Sequence, residues 1–190
     1  MNSIKQIEVL LADRLVGRLA LTKEGLCAFE YAPDWLGSGF SISPFELPLR
    51  SGVFIAKPRP FEGGFGVFDD CLPDGWGLLI VDRYLQQKGI NPRALTLLDR
   101  LALVGSSGRG ALEFRPDHSV VTRQDYADFE KLALEAERIL GSDEYRGKGI
   151  EEFQDRGGSP GGARPKIFAR YEGKEWLVKF RAKRDPQSIG

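Results

Sequence analysis

The chain has 190 residues, 42% of them hydrophobic and 28% charged, an ordinary globular composition that excludes wholesale disorder and leaves room for one domain or two small ones. No apolar run approaches the ~20 residues that span a bilayer, and charged residues interrupt the opening Met1–Arg14 stretch where a signal peptide needs an apolar core, so a cytoplasmic protein without membrane contact is expected. The 27 bases balance 27 acids, and the single histidine with two distant cysteines, Cys27 and Cys71, matches no metal-ligand spacing, so no metal site is predicted and both thiols are read as free.

In chain order, apolar-polar runs at Gln6 to Leu11, Leu15 to Leu21 and Leu26 to Tyr31 are split by short polar turns and predict a three-stranded antiparallel meander. Pro, Gly and Ser dominate from Ala32 to Phe68, where only Val53 to Ala56 suggests another strand. Three helices with readable ends follow. Asp74 is placed to cap a helix that carries Trp76, Leu79, Ile80 and Tyr84 on one face and stops at Gly89. Asn91-Pro92 reads as an N-cap and a first-turn proline before Leu95, Leu98 and Leu101, with Gly105 as the stop. Thr122 with Asp125 resembles a capping box, and Tyr126, Phe129, Ala133, Ala136 and Leu140 form a stripe ending at Gly141. Between the last two helices, Ala111 to Arg115 reads as a strand returning to the first sheet. Beyond a polar linker, residues 142–156, the strands Lys166 to Tyr171 and Lys174 to Phe180 flank Glu172-Gly173 as a β-hairpin.

The balanced charge conceals a separation. Gln124 to Asp155 holds ten acids and four bases, whereas Arg156 to Arg184 holds nine bases and two acids, so the basic part coincides with the stretch Arg156-Gly157-Gly158-Ser159-Pro160-Gly161-Gly162-Ala163-Arg164-Pro165-Lys166. Amides of a glycine-rich turn can converge on phosphate oxygens because no Cβ blocks the approach. The Walker pattern fails, since Pro165 precedes Lys166 and Ile167 follows it. A dinucleotide fingerprint fails because the flanks are a linker and a strand. The kinase pattern G-x-G-x-x-G fits in part, with Gly157 and Gly162 outermost and Ser159 in the middle glycine's place. Lys179, on the second hairpin strand, stands where a kinase lysine would pair with phosphates; the plain alternative is a hairpin lysine facing water.

Several separated blocks resemble a known family, the HipA-like serine/threonine kinases, toxins of bacterial type II toxin–antitoxin systems. Leu15-Val16-Gly17-Arg18-Leu19 with Phe29-Glu30-Tyr31 is similar to the family's opening meander, Ser41-Ile42-Ser43-Pro44 to its "LSP" segment, and Phe68 to Gly75 to its "LPEG" block. Gly108 to Leu112 resembles its "GA-L" strand, Ser159 to Lys166 its loop, and Trp176-Leu177-Val178-Lys179-Phe180 its lysine strand. The fold this implies is α+β: an antiparallel β meander or barrel with about three helices over residues 1–141, then a linker, then a β-hairpin fragment of a kinase-like N-lobe over residues 157–190.

The resemblance implies that Gly161, Gly162, Ala163, Arg164, Pro165 and Lys166 cover the phosphates of ATP, brought with Mg²⁺, that Lys179 binds the α and β phosphates, and that Ser159 is autophosphorylated. It also implies a helix-turn-helix (HipB-like) antitoxin as partner, with DNA contacted only through it. The eleven residues after Lys179 cannot hold the catalytic aspartate or the Mg²⁺ ligands, so no catalytic residue is expected in this chain. A truncated product, or one half of a split kinase completed by a separate C-lobe chain, is the expectation. Two competing readings are a non-catalytic toxin–antitoxin interaction module and an RNA- or anion-binding protein; the second sits poorly with the acidic excess of the first 155 residues.

Overall fold

The computed structural model describes residues 3–119, 129–141, 150, 153, 162–171 and 174–180. The chain divides into two compact units, Met1–Leu72 with Ala94–Ser119, and Pro73–Arg93 with Val120–Gly190.

The first unit is built on an open five-stranded antiparallel sheet of order β4-β3-β2-β1-β5. Its strands are β1 (Gln6–Leu11), β2 (Arg14–Leu21), β3 (Cys27–Tyr31), β4 (Val53–Ile55) and β5 (Leu112–Arg115). The predicted meander and the returning strand are therefore present. The sheet does not close, so of the expected "meander or barrel" the meander holds. Period-two alternation explains the sheet's two faces. One cross-strand row, Ile7-Leu19-Phe29-Phe54, is buried, and Phe29 stacks edge-on with Tyr31 at 4.9 Å and lies 5.5 Å from Phe68. The adjacent row on the opposite face, Arg115-Glu8-Arg18-Glu30, alternates in charge, with Arg18 and Glu8 paired at 3.1 Å.

The Pro/Gly/Ser-rich tract that sequence left unplaced contains α1 (Pro33–Ser38) and α2 (Gly66–Asp69). With α3 (Gly75–Gln87), α4 (Leu97–Val104) and α5 (Phe129–Gly141), the described residues hold five α-helices rather than about three. The Ser41–Pro44 block is anchored by Tyr31. The buried Tyr31 hydroxyl donates to the Leu47 carbonyl at 2.6 Å and accepts from the Ile42 amide at 3.1 Å, so it ties this loop to the sheet. Asn91-Pro92 does not open α4. The Asn91 side chain accepts from the Arg93 amide over a single 3₁₀ turn, Pro92–Ala94, and α4 starts later, behind Thr96, whose hydroxyl and Asp99 form a reciprocal capping box. A proline and a genuine Thr-x-x-Asp box lie within eight residues here, and the box satisfies more orphan amides.

The second unit combines α3, α5 and the hairpin β6 (Lys166–Tyr171) and β7 (Lys174–Lys179). Its core is Trp76, Ile80, Leu132, Ala136, Ile139, Ile150, Phe153, Ile167 and Phe180, with Phe153 edge-on to Trp76 at 5.2 Å. On α5 the buried stripe is Leu132-Ala136-Ile139; Leu140, expected inside, is 39% exposed, so the helix is rotated from the predicted face. Ile150 and Phe153 show that the polar stretch read as a linker carries two apolar core residues. Thr122, Asp125 and Tyr126 lie outside the described residues. The buried Arg83 guanidinium donates to the Ile139 carbonyl near the C-terminus of α5, where a cation complements the helix dipole.

Candidate functional site

The site is assembled from the start of α3 and the end of the glycine loop, all within the second unit. Asp74 is the N-cap residue of α3, but its carboxylate does not cap its own helix. Its Oδ1 accepts the amide hydrogen of Gly162 at 3.0 Å, across 88 residues of sequence. In return the Trp76 amide, one of the helix's orphan donors, is satisfied by the Gly162 carbonyl at 3.0 Å. Two opposed hydrogen bonds thus lock Gly162 of the loop to the first turn of α3.

Glycine makes this approach possible. Gly75 has φ +45° and Gly162 φ +84°, and a Cβ on Gly75 would fall 2.6 Å from the Gly162 carbonyl carbon and 2.7 Å from its oxygen. The same Gly162 oxygen accepts from Lys166 Nζ at 3.2 Å.

The hairpin places a second lysine beside the first. Lys166 and Lys179 are direct cross-strand partners, and the Phe180 amide donates to the Pro165 carbonyl at 2.8 Å. That bond makes Pro165/Phe180 the hydrogen-bonded pair, so Lys166/Lys179 is the non-hydrogen-bonded pair, with Cα atoms about 4.5 Å apart and side chains on one face. Lys166 is buried and Lys179 exposed. Burial, and then the Lys179 charge, hold the Lys166 ammonium below its ordinary pKa, against an opposing pull from Asp74.

Of the predicted site residues, Gly162, Ala163, Arg164, Pro165 and Lys166 form one short segment with Lys179 opposite its end; Ala163 and Arg164 are exposed. Gly161 and Ser159 lie outside the described residues. Sequence reading assigned Asp74 a helix cap, and Asp74 with Gly75 to a family block, but gave neither a place at the site. The available signal was the Asp-Gly pair itself, since glycine is a poor first helical residue unless something must come close.

Among the described residues, other chemistry is sparse. Burial pushes the Cys27 thiol up to about 11, and burial with the Asp70 charge pushes Cys71 up to about 11, so neither supplies a thiolate near neutral pH. Among the described residues no cluster of His, Cys, Asp or Glu could hold a metal ion, and no helix is long and apolar enough to cross a membrane. An open cavity of about 480 Å³ lies beside α1 and β2 in the first unit, lined by Arg14, Arg18 and Trp35. Its cations are already engaged, Arg14 with the Ser38 hydroxyl at 2.7 Å and the Trp35 ring at 4.9 Å, Arg18 with Glu8.

These features define an α+β protein with an open antiparallel sheet and a separate hairpin unit bearing a glycine loop and a lysine pair. The family model described as the HipA N-terminal domain matches residues 7–115, more than half of the chain, and the chain belongs to that family. Residues 7–115 are thus a HipA-like toxin N-terminal region. The match takes in Asp74, Gly75 and Trp76, while Gly162, Lys166 and Lys179 fall beyond it.

Proposed function

We propose that the chain is the nucleotide-contacting, regulatory N-terminal portion of a HipA-like serine/threonine kinase. The observation that supports this best is the Lys166/Lys179 pair. Like charges directly opposite across two strands destabilise a hairpin, and one of these lysines is also buried. A polyanion seated beside them would turn that repulsion into two charge-assisted contacts. In this reading Lys179 meets the α and β phosphates of Mg-ATP, the stretch from Gly161 to Lys166 lies over them, and Ser159 receives the regulatory phosphate. A phosphate there adds about −1.5 to −2 charges next to Arg156, Arg164 and Lys166 in sequence. Catalysis itself would need the aspartate and Mg²⁺ ligands of a kinase C-lobe, and a helix-turn-helix antitoxin is the proposed protein partner.

Calorimetric titration with Mg-ATP tests the reading. Heat saturating in the millimolar range or below, and lost in Lys179→Ala, is the expected result. No heat at millimolar ATP would leave a non-catalytic interaction module as the better description.

A further inference from the structure

We infer that the Asp74 carboxylate is a built-in substitute for phosphate, which holds Gly162 against the first turn of α3 so that an anion must displace it to reach the Gly162 amide. The inference rests on the phosphate reading of the loop.

Three observations carry it. An N-cap aspartate ordinarily accepts amides of its own first turn, and this one instead accepts from Gly162, an amide of the very segment that would receive phosphate. An amide carries one hydrogen, so Gly162 cannot serve a carboxylate and a phosphate oxygen together at full strength, and the two anions would repel at that separation. The contact is also prepared by the backbone on both sides: Gly75 and Gly162 each have positive φ, and any side chain on Gly75 would strike the Gly162 peptide.

The same residue, Gly162, engages a second group. Lys166 Nζ donates to the Gly162 carbonyl, the oxygen that also accepts from the Trp76 amide, so the residue held by Asp74 also holds the buried lysine inward. Asp74 is exposed, and its bond to Gly162 can be reached from solution. Release of the carboxylate would therefore free the Gly162 amide close to Lys166 and its cross-strand partner Lys179. Asp74 acts here as a positioning residue, through the loop.

The test compares the full chain with Asp74→Asn, which keeps the shape and loses the charge, and Asp74→Ala, which loses the acceptor as well. Pyrophosphate and Mg-ATP affinities are measured by calorimetry, and exchange of the Gly162 amide hydrogen by NMR. A protected Gly162 amide is expected in the parent chain, with at least about tenfold faster exchange in Asp74→Ala, as loss of a hydrogen bond to a charged group implies. Pyrophosphate affinity should rise by about tenfold in Asp74→Ala, and by less in Asp74→Asn, whose side-chain oxygen can still accept. Lys179-dependent binding that is no tighter in either Asp74 variant would overturn the substitution idea while leaving the phosphate site standing. Absence of anion binding in all three proteins would overturn both. Gly75→Ala offers an independent check: the carboxylate remains, the close approach is lost, and Gly162 exchange should again accelerate.

Discussion

Two cross-strand charge arrangements in this molecule have opposite logic. On the exposed face of the first unit, Arg115, Glu8, Arg18 and Glu30 follow one another across four strands with alternating sign. In the hairpin of the second unit, Lys166 stands directly opposite Lys179 with no sign change. Cross-strand pairs of opposite charge contribute a few tenths of a kcal/mol up to ~1, and like pairs cost a similar amount. The first row is therefore explained by folding alone. The second sets like charges opposite each other, and it is there that the proposed ligand is to be sought.

The largest effects should come from the buried core of the first unit. Phe29 is fully buried, touches the Tyr31 and Phe68 rings, and belongs to the row that holds four strands together. Phe29→Ala should cost about 3–5 kcal/mol, visible as a sharply lowered urea midpoint for the sheet. A cost under about 1 kcal/mol would mean that the buried row does not govern the stability of this unit.

Next in size is Asp99. Burial raises its carboxyl, but the Ile4 amide, the Thr96 hydroxyl and amide, and the His118 charge together outweigh that and hold it below the ordinary aspartate value of 3.8. The Ile4 amide donates to Oδ1 at 3.0 Å, so this residue joins the N-terminal segment to α4 as well as completing the capping box. Asp99→Ala should cost about 2 kcal/mol, since it loses the box and leaves part-buried donors without an acceptor. The pH dependence has a definite sign. A depressed folded-state pKa gives stability that is complete above the unfolded value and is lost as pH falls through the lower folded value. Asp99→Asn should flatten the acid limb of a stability–pH curve below about pH 4; an unchanged limb would assign that loss to other carboxylates.

The same contrast explains how much was legible beforehand. The sheet could be read because alternation with a period of two is local, and because Thr22 to Gly25 and Ala12 to Arg14 mark its turns. Trp76 and Ile80 were placed on the buried face of α3 by spacing alone. The stripe on α5 was set wrongly because Leu132 and Ile139 share the helix with Leu134 and Leu140, and spacing does not say which leucines face a partner. The Pro/Gly/Ser-rich tract hid α1 and α2, whose short turns are held by tertiary contacts such as Arg14 to the Ser38 hydroxyl and the Gly66 amide to the Glu46 carboxylate. At the candidate site Lys179 was singled out from its place in the hairpin, and Lys166 only as the end of the glycine loop. Their direct opposition follows from the register, and the Asp74 bond to Gly162 joins residues 88 apart, beyond the reach of any local pattern.

The smallest expected effect sharpens the comparison most, because its sign separates the two units. If the lysine pair exists for an anion, Lys179→Gln should stabilise the anion-free chain slightly, by about 0.2–1 kcal/mol, while weakening Mg-ATP binding. The pH dependence supplies a second signature. Lys166 has its pKa lowered first by burial and then by Lys179, so in the alkaline window between its folded and unfolded values the unfolded chain binds more protons, and stability rises with pH. Removing the Lys179 charge takes away the second cause and leaves the first, so that rise should become shallower without vanishing. The reverse test uses the sheet. Arg18→Gln breaks the Glu8 pair and should destabilise the first unit by no more than about 1 kcal/mol, as expected for an exposed ion pair. Lys179→Gln and Arg18→Gln each remove one cation from a cross-strand row, and opposite signs in urea unfolding would establish that only the hairpin carries charge against its own stability. Destabilisation by both would place the Lys166/Lys179 pair among ordinary structural contacts and remove the main physical support for an anion there.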